Sequence, residues 1–192
     1  MQKKPRVGVD VDGVLADLIT PMFELMNRLL HTSYSVEHME DWSIDHLIPA
    51  DRADEFWREL GKPGLHAQLK PHPGAVEGIR ALSDVADVYI VTSYLHGAET
   101  WVYERDAWLH KHFGIPRAKI VHTRAKYTFY GRVLVDDKPE NVVEWQAEHP
   151  HGAGVLWLQP YNRRNDDARI QHRTDRWDEV IRLATAGASA SK

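Results

Sequence analysis

Four short apolar runs rich in β-branched residues divide this sequence, and stretches with helical periodicity separate them. The runs cover residues 6–10, 85–92, 132–135 and 154–159, with a weaker fifth run at 119–123. The helical patterns cover residues 74–83, 98–113, 139–148 and 177–184. Strands that are apolar on both faces and alternate with helices are typical of a parallel sheet covered on both sides. The sequence therefore predicts a three-layer α/β core.

The alternation breaks between the first and second predicted strands. Apolar residues recur there at helical spacing from Leu18 to Leu30, and a second helical pattern covers residues 51–60. Because no β-rich run occurs, we expect a small helical cap over residues 17–71, inserted after the first strand of a core formed by residues 1–16 and 72–184. The last residues, 185–192, are small and polar, and we expect them to be disordered.

Charge and composition limit the function classes. The chain of 192 residues has 24 basic and 28 acidic residues, a formal net charge of −4, and no long basic run, so a nucleic-acid polymer is not an expected partner. It has no cysteine, which excludes thiolate metal ligands and a cysteine nucleophile. No signal-peptide core and no apolar run near the ~20 residues of a membrane helix occur. We expect a cytoplasmic protein without a membrane partner.

Acidic and hydroxyl side chains follow three of the predicted strands. In chain order they are Asp10, Asp12, Thr92, Ser93, Asp136 and Asp137. The carboxyl ends of parallel strands meet at one edge of the sheet, so we expect these side chains to lie together. Four carboxylates in one crevice repel one another unless a cation lies among them, and oxygen ligands favour a hard cation such as Mg²⁺. The sequence therefore predicts a magnesium site that binds a phosphorylated substrate, with the four aspartates as candidate ligands.

The stretch VGVDVDGVLAD places Asp10 and Asp12 one residue apart at the end of a buried strand. Asp10 is the candidate nucleophile towards phosphorus, and Asp12 is the candidate acid that protonates the leaving oxygen and later activates water. Gly13 lets the chain turn without a side chain in the site. Lys126 lies between the second and third polar groups and is a candidate phosphate-binding cation.

The order DVDGV, VTS, a lysine and VDDKPEN resembles the four motifs of haloacid-dehalogenase (HAD) phosphatases, whose core is Rossmann-like. The segments KPHPGAVEGIRAL, YERDAWLHKHFG and PYNRR are similar to the 5′(3′)-deoxyribonucleotidase branch of that superfamily. The resemblance covers about residues 5–183 and is weakest in the cap. An aspartate at position 12 favours phosphomonoester hydrolysis over the dehalogenase and phosphonatase subclasses.

The resemblance implies roles for the acidic residues. Asp10 would form the aspartyl-phosphate, and Asp12 would be the general acid and base. The side chains of Asp10 and Asp136, with the backbone carbonyl of Asp12, would bind Mg²⁺. Asp137 would support the metal-bound waters.

The resemblance also implies where the phosphate binds. Thr92 and Ser93 would hold phosphate oxygens, and Lys126 would neutralise the developing charge. Where the mammalian members have proline after the Thr-Ser pair, this chain has Tyr94.

The base pocket is where this chain departs most from the branch. The mammalian members have phenylalanines at the positions that read Leu65-His66-Ala67 here. A nucleobase would then have to contact other aromatic residues, for which Trp42, Trp57 and Tyr94 are candidates.

Simpler interpretations stay open for each residue. The two aspartate pairs could cap helices, and Thr92 and Ser93 could be ordinary turn residues. Lys119 and Lys138 compete with Lys126. Trp42 and Trp57 could pack the cap instead of contacting substrate.

We expect Mg²⁺-dependent hydrolysis of (deoxy)nucleoside 5′-monophosphates. The first alternative is an HAD phosphatase of another small phosphorylated metabolite. The second, of another class, is a non-catalytic protein that binds a phosphoryl ligand on the same fold. A homodimer is also open.

Overall fold

The computed structural model describes residues 3–186, and its centre is a sheet of six parallel strands. In chain order the strands are β1 (Arg6–Val9), β2 (Ala16–Asp17), β3 (Lys70–Pro71), β4 (Asp87–Thr92), β5 (Ile120–His122), β6 (Val133–Asp136), β7 (Ala153–Trp157) and β8 (His172–Thr174). The helices are α1 (Ile19–Leu30), α2 (Ala53–Leu60), α3 (Ala75–Val85), α4 (Trp101–Phe113), α5 (Pro139–Glu148) and α6 (Trp177–Thr185). The sheet has the order β5-β4-β1-β6-β7-β8.

Both faces of the sheet are covered, as the apolar strands predict. The side chains of β1 that face one side, Val7 and Val9, are fully buried in the main core with residues of α3, α4 and α6. On the other face Leu134 of β6 packs with Trp145 of α5. Gly8 lies on this second face, where a larger side chain would overlap the ring of Phe129. The predicted three-layer α/β fold is confirmed.

The strand boundaries differ from the prediction at the edges of the sheet. The run predicted to reach residue 159 ends at Trp157, and the weak fifth run forms the edge strand β5. The opposite edge strand, β8, was not predicted. Its residues, His172, Arg173 and Thr174, are polar because an edge strand pairs on one side only and needs no apolar run.

The segment from β2 to β3 is mostly helical and has a hydrophobic cluster of its own. The cluster combines Met22 and Met26 of α1 with Phe56 and Leu60 of α2. Tyr161, from the loop after β7, also belongs to it. The segment begins and ends in the two-residue strands β2 and β3, which pair antiparallel and which the sequence did not indicate. We keep the name cap for residues 17–71; its boundaries stay a prediction.

Two remaining observations concern the ends of the chain and its longest helices. Helix α6 extends to Thr185, one residue beyond its predicted end, and the rest of the predicted tail, from residue 187 onward, lies outside the described residues. Among the described residues, no helix is both long and apolar enough to cross a membrane.

Candidate active site

Three aspartates converge where β1 and β6 end side by side. Asp10 follows β1 directly, and its backbone N–H donates to the carbonyl of Val135 in β6. Asp136 is the last residue of β6, and Asp137 follows it. One carboxylate oxygen of each aspartate lies within 4.8 Å of those of the other two, and all three residues are buried. Because buried carboxylates repel one another, the acidic triad of Asp10, Asp136 and Asp137 is suited to a metal ion.

Lys126 supplies a positive charge at the triad. Its Nζ lies 2.7 Å from Oδ2 of Asp10 and 2.7 Å from Oδ2 of Asp136, and the residue is 2% exposed. Burial disfavours its charge, but the two carboxylates more than offset this and hold the pKa of Lys126 above its ordinary value. The lysine is therefore a fixed cation, and neither competitor, Lys119 or Lys138, makes these contacts: Lys119 pairs with Asp87.

Lys126 alone does not balance the charge of the three carboxylates. Burial raises the pKa of Asp10 from 3.8 to about 7, against the opposing charge of Lys126, and the neighbouring Asp136 and Asp12 raise it further. Burial, and next to it the charges of Asp136 and Asp10, also raise the pKa of Asp137 well above its ordinary value. A cation among the three side chains would favour their ionised forms.

Asp136 is held by the start of α5. Its Oδ1 accepts a hydrogen bond from the backbone N–H of Lys138 at 2.9 Å, and Nδ2 of Asn141 donates to both carboxylate oxygens at 3.0 and 3.1 Å. Helix α5 has proline as its first residue, whose restricted φ favours a helix start at this position, three residues after the strand ends. The carboxylate of Asp136 is therefore oriented by the first turn of the helix that follows its strand.

Asp137 is held by three residues from two distant segments, the cap and the loop after β7. Its Oδ2 accepts hydrogen bonds from the Tyr161 hydroxyl and, at 3.2 Å, from the indole N–H of Trp42, while Nδ2 of Asn162 donates to its backbone carbonyl at 2.8 Å. Both side-chain bonds use the same oxygen, so Oδ1 is left as the oxygen available to a ligand. The sequence did not predict the part played by Tyr161.

Gly13 packs directly on this arrangement. Its φ of +73° is in the left-handed region, and a methyl group on it would overlap the carboxylate of Asp137 and the hydroxyl of Tyr161. The side chain of Gln159 donates to its carbonyl at 2.6 Å. The glycine of the DVDGV motif is therefore required for close approach as well as for the turn.

The side chain of Asp12 pairs with a residue of α4 and not with the acidic triad. Its carboxylate is not part of the acidic triad and instead forms a two-pronged ion pair with Arg105 of α4, at 2.8 Å (Nη1–Oδ1) and 2.9 Å (Nη2–Oδ2). Its backbone carbonyl remains the expected metal ligand. Arg105 was not predicted, although its place four residues after Trp101 and four before Leu109 puts a charge on the buried face of the helix, which is a readable signal.

The hydroxyl pair lies at the same edge of the sheet. Thr92 ends β4, the other neighbour of β1, and is fully buried, with Oγ1 donating to the carbonyl of Ser93 at 3.3 Å. Ser93 donates to the carbonyl of Thr123 at 3.4 Å. Tyr94, the next residue, is 43% exposed.

The two cap tryptophans have different surroundings. Trp42 is 40% exposed and contacts the acidic end of the sheet, with Nζ of Lys138 4.2 Å from its ring centroid. Trp57 packs edge-to-face on Phe56, with centroids 5.1 Å apart, beside the hydrophobic cluster of the cap. Only Trp42 of the pair is seen to contact a residue of the triad.

Solved structures with the same architecture define the class of the fold. A haloacid dehalogenase-like family hydrolase from Streptococcus pneumoniae aligns with a TM-score of 0.63 at 13% identity, covering 94% of this chain and 98% of its own. The HAD-hydrolase YfnB from Bacillus subtilis, solved bound to magnesium, aligns with a TM-score of 0.58 at 15% identity, covering 95% and 99%. The fold is the Rossmann-like fold of HAD hydrolases.

Sequence comparison defines the family more narrowly. The family model described as 5′ nucleotidase, deoxy (pyrimidine), cytosolic type C protein matches residues 4–189. The human cytosolic-type 5′(3′)-deoxyribonucleotidase is 30% identical over 194 residues, covering 94% of this chain and 95% of the human protein. The chain belongs to this family of HAD-type nucleotidase phosphatases, which confirms the resemblance seen in its motifs.

Proposed function

We propose that this protein hydrolyses (deoxy)nucleoside 5′-monophosphates, deoxyribonucleotides first, with Mg²⁺ and through an aspartyl-phosphate on Asp10. The observation that carries the proposal is the buried triad of Asp10, Asp136 and Asp137 beside the fixed ammonium of Lys126. The human relative is a 5′(3′)-deoxyribonucleotidase, which supports the choice of substrate.

The donor set fits Mg²⁺. Asp10, Asp136 and Asp137 offer oxygen ligands only, and Mg²⁺ prefers one or two carboxylates together with waters and substrate phosphate. Bound there, the ion would supply positive charge that keeps the carboxylates ionised and offsets the charge of the phosphate. Lys126 would add a second positive charge from its own side of the site.

In the first step a carboxylate oxygen of Asp10 attacks the phosphorus. The Asp10 O–P bond forms as the P–O bond to the nucleoside breaks, and the electron pair of that bond goes to the leaving oxygen. This oxygen takes a proton from Asp12 and departs as the alcohol. Thr92, Ser93 and Lys126 would hold the phosphate oxygens while negative charge develops.

In the second step water attacks the phosphorus of phospho-Asp10. The carboxylate of Asp12 takes the proton from the water, and the Asp10 O–P bond breaks with its electron pair on Asp10. Inorganic phosphate leaves, and Asp10 is again a carboxylate while Asp12 is again protonated. The side chain exposure of Asp12, 27%, supports a place at the mouth of the site where substrate and water enter.

A base-binding role for Trp42 and Tyr94 rests on their exposure of 40% and 43%. Trp57 is the weaker candidate, because its ring packs on Phe56. The segment Leu65-His66-Ala67 supports the alternative of another phosphorylated metabolite as substrate. His66 is buried, 2% exposed, with its ring against that of Trp101, so it does not replace the phenylalanines as a stacking surface for a base.

The cytosolic type of the human relative supports a cytoplasmic location.

The test is phosphate release from a panel of nucleoside monophosphates and sugar phosphates, measured with Mg²⁺ and with EDTA. We expect metal-dependent release, highest with dUMP or dTMP, and its loss in Asp10→Asn. Asp84→Asn, an exposed change on α3, is the matched control and should be as active as the wild type. Release from sugar phosphates alone would favour the other-metabolite alternative. Absence of release from every ester would favour the binding protein.

A further inference from the structure

Arg105 is a buried charge with a single carboxylate to balance it. The residue is 1% exposed, and its Nη atoms donate to both oxygens of Asp12. The adjacent carboxylate, Asp106, is occupied instead by Arg117 and His122, each at 2.8 Å. Within the described part of the chain, Asp12 is the carboxylate to which the Arg105 guanidinium hydrogen-bonds.

The Arg105 side chain is buried beside the ring of Trp101. Its guanidinium carbon lies 5.2 Å from the centroid of Trp101, whose ring in turn contacts His66 at a centroid distance of 3.5 Å. Nε of Arg105 is buried and makes no hydrogen bond within the described residues. The Arg105 side chain is 1% exposed, whereas that of Asp12, in the loop after β1, is 27% exposed. Arg105 is therefore the more constrained member of the pair and orients the carboxylate of Asp12.

We propose that Arg105 is a positioning residue for Asp12, holding its carboxylate in the orientation that proton transfer requires. This inference rests on the proposed function. A guanidinium that binds both carboxylate oxygens fixes the plane of the carboxylate, which a single hydrogen bond does not. Each oxygen has a second lone pair, so Asp12 can still bind and release a proton on its open side.

Arg105 itself exchanges no proton, because guanidinium stays protonated throughout. The proton moves only between Asp12 and the leaving oxygen in the first step, and between water and Asp12 in the second. Loss of Arg105 should therefore slow the two steps that use Asp12 and leave substrate binding nearly unchanged.

Two substrates separate this role from a general structural one. A nucleoside 5′-monophosphate has an alcohol leaving group that needs a proton, whereas p-nitrophenyl phosphate releases a phenolate that does not. For Arg105→Met we expect kcat with dTMP to fall about 100-fold, the low end of the range for acid–base catalysis, with KM within about 3-fold of the wild type. With p-nitrophenyl phosphate we expect a rapid burst of p-nitrophenol, followed by slow turnover, since only the second step needs Asp12.

The controls use residues of the same type and the same partner. Arg117→Met changes an arginine of the same region whose side chain is 70% exposed, and should keep wild-type kinetics. Arg105→Lys keeps the positive charge but cannot hydrogen-bond to both oxygens of Asp12 in the same way, so it should recover only part of kcat and still show the burst. If Arg105→Met does not fold, Arg105→Lys takes its place in the test. In an Asp12→Asn background, Arg105→Met should cost little further kcat, because both changes act through Asp12.

A wild-type kcat in Arg105→Met or Arg105→Lys, a change in KM alone, or full additivity with Asp12→Asn would overturn the inference. If the wild-type protein released no phosphate from either ester, the proposed function would fail instead, so the two failures are distinguishable.

Discussion

Lys126 and Asp10 form a buried ion pair, 2.7 Å from Nζ to Oδ2, and the same ammonium also contacts Asp136. We predict that Lys126→Met lowers kcat at least 100-fold, since one buried electrostatic donor is commonly worth about 10²–10³ in rate. Steady-state kinetics with the best ester of the panel would measure this. Lys111→Met, an exposed change on α4, is the matched control. Near-normal kcat in Lys126→Met would show that the phosphate is neutralised elsewhere.

Metal binding should be visible in stability as well as in rate. The triad of Asp10, Asp136 and Asp137 gathers three carboxylates within 4.8 Å, so a bound cation should stabilise the folded state. A ligand at 100 times its Kd adds about 2.7 kcal/mol, which raises Tm by roughly 5–10 °C in a chain of this size. Melting curves with Mg²⁺ and with EDTA would measure the shift.

The control for the metal shift is Asp137→Asn. It removes one ligand charge, and the Mg²⁺-dependent rise in Tm should shrink. Equal melting temperatures with Mg²⁺ and with EDTA in the wild type would contradict a metal site at the triad.

Two glycines with nearly the same backbone conformation allow the cost of backbone strain to be measured separately from the cost of steric overlap. Gly13 has φ +73° and no room for a methyl group, whereas Gly74 has φ +78° and nothing within 4 Å. Gly74→Ala should therefore cost only the left-handed penalty of about 1–2 kcal/mol. Gly13→Ala should cost more and also displace Asp137, lowering activity. Urea unfolding and kinetics of both variants would measure this, and equal losses would contradict the crowding argument.

The sequence predicted the carboxyl ends of β1, β4 and β6 to within one residue because each motif is local. A buried strand followed by aspartate indicates both the strand and the edge at which Asp10 and Asp136 lie, and the sheet order then brings them together. The functional roles assigned to these residues stay predictions. The polar edge strand β8 was missed because its pairing partner, not its composition, defines it.

Long-range partners were the part that the sequence could not provide. Helical periodicity places Arg105 on the buried face of α4 but does not say what lies opposite, and Asp12 is 93 positions away in the chain. Likewise, the contacts of Tyr161 and Trp42 with Asp137 depend on how two loops and the sheet pack.

Trp42 offers a test of base contact. If its exposed ring stacks on a nucleobase, Trp42→Ala should raise KM for dTMP about 10-fold, since base–aromatic stacking is worth about 1–3 kcal/mol, and should leave KM for p-nitrophenyl phosphate nearly unchanged. Trp42→Phe keeps a ring but removes the N–H to Asp137, so it separates stacking from the hydrogen bond. A KM for dTMP that stays at the wild-type value in Trp42→Ala would exclude the stacking role.

His66 should make stability depend on pH in a specific window. Burial lowers the pKa of His66 from 6.5 to about 4, and the nearby charge of Arg105 adds to this. The carboxylates of Asp12 and Glu104 and the backbone of Leu60 oppose the shift only in part. The folded protein therefore favours neutral histidine. Between about pH 4 and pH 6.5 the unfolded chain binds more protons at this site, so the stability it contributes is complete above pH 6.5 and is lost as the pH falls towards 4.

The matched variant is His66→Leu, which has no titrating group and a side chain of similar size. On going from about pH 7.5 to about pH 5, the wild type should lose roughly 2 kcal/mol more free energy of unfolding than the variant. Any packing cost of leucine is independent of pH and cancels in this difference, as do the other titrating groups that both proteins share. Urea unfolding at the two pH values measures it. Equal pH slopes would mean that His66 is solvated or partnered in the folded protein, contrary to its burial against Trp101.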